Sequence, residues 1–589
     1  MSGLEEAASR RVFLSVRHCL SFLLLLGFTA SGCSPAQYAQ QADRSAGKVI
    51  SWGQESALGK SESFDVRYHP FTCEDRNDPG VILIGKKRIA IGTGPKQSLT
   101  PAECLEIAFR NSRELQLQKE DLFKSALALA NARRGWNFPL LTGDLTGSVE
   151  RSRQEGTTGW ENSADAELGL SALQKLRGGA QISLATTISL ASDLLGADST
   201  TIGSLIEANL TQPLLRGAWR DLAYEDQYRL ERDFVISVFK YKRFIETFAA
   251  EVLTSYYKVL QKRDRLKNEQ ANIKRLTETL ALTRLLVQGG QVSRIQQDQA
   301  EQNLLEARVR YQQSQQSYRN ALDEFKMTIG LPVGAMIELD YPDTLIKLNK
   351  AGPAPIPFKE DEAIQIAFSS RPDVLEEKAA VRDSAKDVEI AADAFLPQLD
   401  VVLGYSAPGG RRKRDFWNVQ FHRHTRLAGV NFEYELDQTD NRDAYRNAII
   451  AYNKARRDWE ELCDRVRLEV RQSYRLLIQS RKSYELQLRN VKIALRRRKL
   501  AALQQKEGQA SARDVLEAEE ALRSAQNGLT SALIDYTTTR LKFLASLGML
   551  EVDEKGFIHE RKEPLTYGRI EQQYRCGIPE QKDDRLDSQ

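Results

Sequence analysis

The sequence predicts an α+β chain, mainly α, in which long helical hairpins occur twice and a block of strands interrupts each copy. Three observations predict it. Of 589 residues only 41% are hydrophobic while 28% are charged, too few apolar residues for compact cores but the balance of long helices. The segment LTPAECLEIAF, Leu99 to Phe109, returns as FKEDEAIQIAF, Phe358 to Phe368, an internal duplication. Between the helical stretches lie runs of strict apolar–polar alternation, the period of half-buried strands.

At the N-terminus Arg10, Arg11 and Arg17 precede the apolar run Leu20 to Ala30, followed by the small Ser31 and Gly32, so residues 1–32 read as a secretory signal. No run of about 18 apolar residues occurs, which argues against a transmembrane helix. Ala30-Ser31-Gly32-Cys33 resembles the bacterial lipobox, which makes Cys33 the lipidated N-terminus of the mature chain; a plain signal peptide cut nearby is the alternative. Ser34 after the cysteine resembles lipoproteins sorted to the outer membrane. Residues 33–98 form an N-terminal segment with a strand-like run, Val81 to Ile84. Cys73 and Cys576, both in irregular terminal regions, are the candidate disulfide of an oxidising compartment. Cys104 and Cys463 lie in helical patterns and are expected as buried thiols.

The copies span 99–330 and 360–550, joined by a Pro-rich linker, 331–359, and followed by a polar tail, 551–589. Phe138-Pro139 matches Leu396-Pro397, NLTQPL from Asn209 matches NFEYEL from Asn431, and GQVS from Gly290 matches GQAS from Gly508. At one constant offset Ala300 meets Ala518, Phe325 meets Phe543 and Gly330 meets Gly548. The first copy holds 70 positions between its matched proline and asparagine (139 to 209), the second 34 (397 to 431). Four alternating runs fill the first interval: Leu141 to Glu150, Ala164 to Ala172, Ile182 to Leu190 and Ile206 to Leu210. One hairpin fills the second, with Leu399, Val401, Leu403 and Tyr405 on one face and Ala428, Val430, Phe432, Tyr434 and Leu436 continuing it. Short turns such as Leu176 to Gly179 alternating with longer polar loops mark outer-membrane barrel strands, with a soluble β-sandwich insert as the alternative.

Proline-free runs follow each block, Asp221 to Gln288 and Arg442 to Gln505, each roughly 100 Å of helix. Tyr452, Ala455, Trp459, Leu462, Val466 and Val470 begin a three-four seam, a structural stripe that packs against another helix. Pro101 to Asn137 and Ser293 to Ile329 read as two shorter helices whose combined length nearly equals the long one. The turns at Gly289-Gly290 and Gly508 are then hairpin tips, glycine supplying the left-handed residue that ends a helix. A chain with six strands cannot close a wide barrel alone, so several chains must contribute.

The doubled pattern of LTPAECLEIAFRNSREL, FPLLTGDLTGSV, NLTQPLLRG, QGGQVSRIQQDQAEQNLLEARVRYQ and TIGLP resembles the TolC-like outer-membrane efflux proteins from about Leu99 to Leu550. The resemblance implies a homotrimer whose strands share one outer-membrane barrel and whose helices form a periplasmic tunnel. It also implies a periplasmic adaptor and an inner-membrane pump as partners, and an outer-membrane, lipid-anchored location. Gly289, Gly290, Val292, Ser293, Gly508, Ala510 and Ser511 fall on the adaptor-docking tips, against a reading as mere turn chemistry. Asp514 and Glu517 fall on the acidic gate, where threefold symmetry would crowd like carboxylates and raise their pKa values; a solvated helix face is the alternative. The family's latching tyrosine and arginine fall on Gln505 and Ala510, a departure.

Other functions lack their residues. No phosphate loop, dinucleotide fingerprint, zinc motif or nucleophile elbow is present, so no enzyme, metal or cofactor is expected. His422 and His424 belong to a solvated Arg-rich loop, with a metal site as the minor reading. A net charge of +4 and the acidic residues interspersed around Arg496 to Lys499 argue against nucleic acid. The expected function is the outer-membrane channel of a tripartite efflux or type I secretion system; the rival is a periplasmic adaptor or coiled-coil scaffold lipoprotein without a pore.

Overall fold

The computed structural model describes residues 34–59, 61, 64–67, 81–84, 87–92, 94–152, 161–193, 200–218, 220–356, 358–409, 419–507, 509–552 and 558–561. In chain order these are α1 (Pro35–Leu58), β1 (Val81–Ile84), β2 (Lys87–Ala90), β3 (Gln97–Leu99), α2 (Pro101–Asn111), α3 (Arg113–Asn137), β4 (Leu140–Ser152), β5 (Glu161–Lys175), β6 (Gln181–Asp193) and β7 (Thr200–Pro213). There follow α4 (Arg220–Ala223), α5 (Glu225–Gln288), α6 (Arg294–Thr328), β8 (Ile337–Leu339), α7 (Asp343–Ala351), α8 (Glu360–Ser370), α9 (Pro372–Asp393), β9 (Gln398–Pro408) and β10 (Thr425–Glu433). The chain closes with α10 (Thr439–Lys506), α11 (Ala512–Ser546), β11 (Leu550–Val552) and β12 (Ile558–Glu560). It divides into two compact units, one of residues 1–64, 123–237 and 376–458, the other of 65–122, 238–375 and 459–589.

The first unit holds one antiparallel six-stranded sheet, ordered β10-β9-β7-β6-β5-β4. The first copy contributes four strands and the second two, and β7 pairs with β9 to join the copies. Each strand outruns its alternating core, β5 reaching Glu161 and Lys175, because ladder bonds continue through polar ends where hydropathy no longer alternates. The β5–β6 turn closes through Leu176 N–H to Ala180 O at 2.8 Å. Where strands give way to helices, Trp136 and Tyr224 meet edge to face at 4.8 Å and Arg177 lies 5.2 Å over the Tyr224 ring. Arg232, nearly buried, pairs with Glu225 at 2.7 Å and with Asp383, while Arg229 reaches Asp387 at 2.6 Å, tying α5 to α9.

Helix α1 was not legible in the alternation or the duplication. Its Trp52 stacks on Phe234 and takes the Arg133 guanidinium at 3.9 Å, and Gly53 lets the helix lie against Phe234, whose ring a Cβ would meet at 2.3 Å.

The second unit shows the duplication in three dimensions. The helix expected over 101–137 is broken at Ser112, which is extended (ψ 123°) and offers its hydroxyl to Leu115 N–H at 3.4 Å. The second copy breaks at Arg371, whose position before Pro372 disfavours helix. Thr100 and Glu103 form a reciprocal capping box, and the matching position of the second copy keeps half of it, Lys359 N–H donating to Glu362 Oε2 at 3.0 Å. The end of each hairpin packs on the corresponding break: Gly330 (φ +74°) abuts Asn111 and Gly548 abuts Ser370. Around these joints lie two apolar cores, one with Leu99, Cys104, Ile107, Tyr256 and Phe325, the other with Ala363, Val470, Leu477, Phe543 and Leu547. The linker adds β8, parallel to β3, and β12 is held by Arg561 on Glu246 of α5 at 2.9 Å. Cys104 is buried as expected; Cys463 is only partly so, and burial still pushes its thiol up. Cys33, Cys73, Cys576 and Gly508 lie outside the described residues.

Candidate functional site

Two surfaces carry the functional reading. The first is the sheet. Its register aligns Leu141, Ala172, Leu184, Ala208 and Tyr405 in one cross-strand row, and Ile182, Leu210, Leu403 and Ala428 in another. These rows, with Val401 beside Val430, form one apolar face that the described residues leave open to solvent: Leu141 is 74% exposed and Val430 67%. The opposite face is polar. It carries Asp144, Asp165, Glu167, Glu207, Asp400 and Glu433 at alternate positions, and Thr142 meets Ser171 across strands at 2.6 Å. Asp144 lies over Gly169, whose lack of a side chain makes the room. Among the described residues both edges, β4 and β10, have one neighbour each.

The second surface is the pair of hairpin tips. In the first, Gly290 adopts φ +70°, its N–H reaching Val287 O at 3.0 Å while Gln291 N–H reaches Leu286 O at 2.9 Å, the paired bonds of a glycine-terminated helix. Val292 and Ser293 lead into α6, with Ser293 its N-cap. In the second, Gln509 N–H closes on Gln504 O at 2.8 Å, and Ala510 leads to Ser511, the N-cap of α11. Ser511 and Asp514 form a capping box: Ser511 N–H donates to Asp514 Oδ2 at 2.9 Å, and the Ser511 hydroxyl donates to the same oxygen at 2.7 Å. These bonds hold the Asp514 carboxyl below the usual aspartate range. Glu517 is partnered by Arg513 at 3.1 Å and Arg497 at 3.7 Å. Within one chain, then, the Asp514 carboxyl moves opposite to the rise expected from symmetry-related crowding. Gln505 is buried. His424 stacks on Tyr405, its ring Nδ1 2.8 Å from Phe421 O.

The sequence missed a polar seam between the hairpins. Glu519 of α11, 4% exposed, meets Arg498 of α10 at 2.9 Å and also Arg275 of α5. Higher along the same helices Arg523 reaches the fully buried Glu269 at 2.7 Å, Asn268 meets Asn527 at 2.9 Å and Thr530 meets Asp264 at 2.6 Å. Inside each hairpin the contacts are apolar instead, Leu276, Leu280, Ala300 and Leu304 in one and Ala494, Leu522, Val515 and Ala518 in the other. Only the i,i+4 pair Arg513–Glu517 was visible as spacing; the partners of Glu519 and Glu269 lie 21 to 254 residues away.

One unit holds a sheet with one apolar face, one acidic polar face and two open edges, the other holds duplicated helical hairpins, and these are the elements that the TolC-like resemblance implies. Residues 363–549, within the second copy, match the family model of the outer membrane efflux protein, and the TolC-like resemblance holds. Nodulation protein T of Rhizobium leguminosarum bv. trifolii is 23% identical over 301 residues, 49% of this chain and 60% of that protein. The chain thus matches about 60% of that relative's length. Among solved structures, CusC, described for conformational changes accompanying folding and transmembrane channel formation, aligns with a TM-score of 0.57 at 14% identity, over 83% of this chain and 98% of its own. The Campylobacter jejuni CmeC outer membrane channel aligns with a TM-score of 0.57 at 15% identity, over 80% and 88%. At such identities these structures establish the fold.

Proposed function

We propose that the chain is the outer-membrane exit duct of a tripartite efflux or type I secretion machine. The observation that carries this reading is the sheet. Its apolar face has no partner among the described residues, and from Leu141 to Val149 it offers about 27 Å of strand, close to the roughly 25 Å apolar band of outer-membrane barrels before tilt. Its edges must be paired, because lipid tolerates no open backbone. Three copies joining β4 to β10 would give eighteen strands with the carboxylate face inward, and a homotrimer is the state the family implies.

In this reading a periplasmic adaptor docks on the tips at Gly289 to Ser293 and Gly508 to Ser511 and links the duct to an inner-membrane pump. Asp514 and Glu517 ring the tip. Cys33 carries the lipid, Cys73 and Cys576 pair, and 1–32, 33–98, 99–330, 331–359, 360–550 and 551–589 are the signal, anchored segment, first repeat, linker, second repeat and tail. The duct performs no chemistry. The test is native mass in detergent followed by conductance in planar bilayers: a trimer with discrete channels is expected, and a water-soluble monomer without conductance would replace the duct with the pore-less adaptor.

A further inference from the structure

The apolar face of the sheet breaks its own pattern at one place. Leu141, Ala172, Leu184, Ala208 and Tyr405 form a cross-strand row, and the sixth member of that row is Arg426 of β10. The sheet's acids, Asp144, Glu167, Glu207 and Glu433 among them, occupy the opposite parity. Among the described residues the face that carries Arg426 therefore holds no carboxylate in any of its strands. Arg426 is exposed and has no hydrogen-bonded or ionic partner among them. Joining β10 to β4 of another copy brings none, since β4 places Leu141, Gly143, Leu145, Gly147 and Val149 on this face.

Strand β10 runs toward α10, so Arg426 lies at the end of the sheet away from the helices. Along this strand the apolar side reads Tyr434, Phe432, Val430 and Ala428 and stops at Arg426. That stretch is about 27 Å of strand, or roughly 20 Å of height at a tilt of ~40°, which puts Arg426 near the far boundary of a roughly 25 Å apolar band. A polar end is built beside it. His424 stacks on Tyr405 at 5.5 Å, and its Nδ1 lies 2.8 Å from Phe421 O; a carbonyl only accepts, so Nδ1 donates and Nε2 is left for another partner. Arg423 belongs to the same turn, its N–H bonded to Gln420 O at 2.8 Å, and it too is exposed without a carboxylate among the described residues. Phe421, 61% exposed, adds an aromatic of the kind that girdles a barrel at the membrane interface. An arginine of a merely solvated loop needs no place on the apolar face, whereas the register gives Arg426 one. At headgroup level the anions at hand are lipid phosphates, and the guanidinium fork matches phosphate oxygens in pairs.

We propose that Arg426, Arg423 and His424 form a site for the phosphate of a phosphorylated lipid headgroup in the leaflet farther from the helices. The inference rests on the duct reading, and the experiment separates the two. Full-length trimer in detergent is titrated with bisphosphorylated lipid A and with its dephosphorylated form, and the retained lipid is counted by native mass spectrometry. Wild type retains the phosphorylated form in preference, and an excess of inorganic phosphate does not displace it. Arg423→Gln with Arg426→Gln weakens that retention at least roughly tenfold and leaves the dephosphorylated form unchanged, while Arg426→Lys loses less. Should the double variant fail to fold, Arg426→Gln alone moves the same readout in the same direction. Wild type that holds both lipids equally, or a double variant that binds as wild type does, would overturn the proposal. Displacement by inorganic phosphate would overturn it as well, since the site would then take a free anion, as would variants that fold but no longer form trimers, since the arginines would then be a contact between chains. A wild-type chain that is a water-soluble monomer would remove the duct reading itself, whereas a conducting trimer indifferent to the lipid phosphate removes this site alone.

Discussion

Gly330 and Gly290 offer a controlled comparison, because the backbone term is shared and only the surroundings differ. Their φ angles are +74° and +70°, so alanine at either pays the left-handed penalty of about 1 kcal/mol. At Gly290 an added Cβ meets nothing within 4 Å. At Gly330 it lands 2.4 Å from Asn111 O and 2.6 Å from Asn111 C, backbone atoms at the α2–α3 break that no rotamer change relieves. Forced repacking of this kind costs roughly 1–3 kcal/mol more, so Gly330→Ala should lose about 2–4 kcal/mol against about 1 for Gly290→Ala. Denaturant unfolding of the detergent-solubilised chain, followed through the tryptophans, reads both. Equal losses would refute the argument that the hairpin base is locked onto the helix break by close backbone approach.

Three further outcomes are expected. Val430→Arg, on the apolar sheet face, should cost about 2–4 kcal/mol of membrane insertion while Asn431→Arg on the polar face costs little, read as folded yield in lipid vesicles. Burial raises the Glu246 carboxyl to about 7 despite Arg561, so the folded state holds a proton that the unfolded chain has released. Its contribution is therefore full below the ordinary glutamate value near 4.3 and is lost as pH rises through 7; Glu246→Gln should flatten that part of the thermal-midpoint profile. Asp514 is held low, so its cap persists above the ordinary aspartate range and fails only as pH falls below it; hydrogen exchange in the first turn of α11 should rise in strong acid, and in Ser511→Ala already at neutral pH.

Periodicity made the sheet and the hairpins readable. Leu399, Val401 and Leu403 do lie opposite Phe432, Val430 and Ala428, because a strand's side-chain period is two and one face is apolar throughout. The tip glycine was readable because the left-handed region admits few other residues. Helix α1 was not, since Ala, Gln and Gly dilute its stripe to Ala46, Val49, Ile50 and Gly53. Nor was the break at Ser112: no proline marks it, and only the approach of Gly330 from 218 residues away explains it. The ion pairs on Glu519 and Glu269 join helices distant in sequence, and charge pairing has no period to betray it. The basic second half of α10, with eleven basic residues and one acidic from Arg471 to Lys506, was hidden because overall composition averages it with a neutral first half.

The unequal strand count has an evolutionary consequence. The first copy exceeds the second by two strands, and two is the smallest increment that returns the chain to the helix side of the sheet, since each strand reverses direction. A hairpin such as β5–β6, closed by the five-residue Leu176–Ala180 turn, can be gained or lost while the helices at either end keep their connections. Each such event alters the sheet by about 10 Å of width per chain. Lineages could thus resize the membrane portion by duplicating a hairpin, leaving the helical machinery, and whatever docks on it, under separate selection.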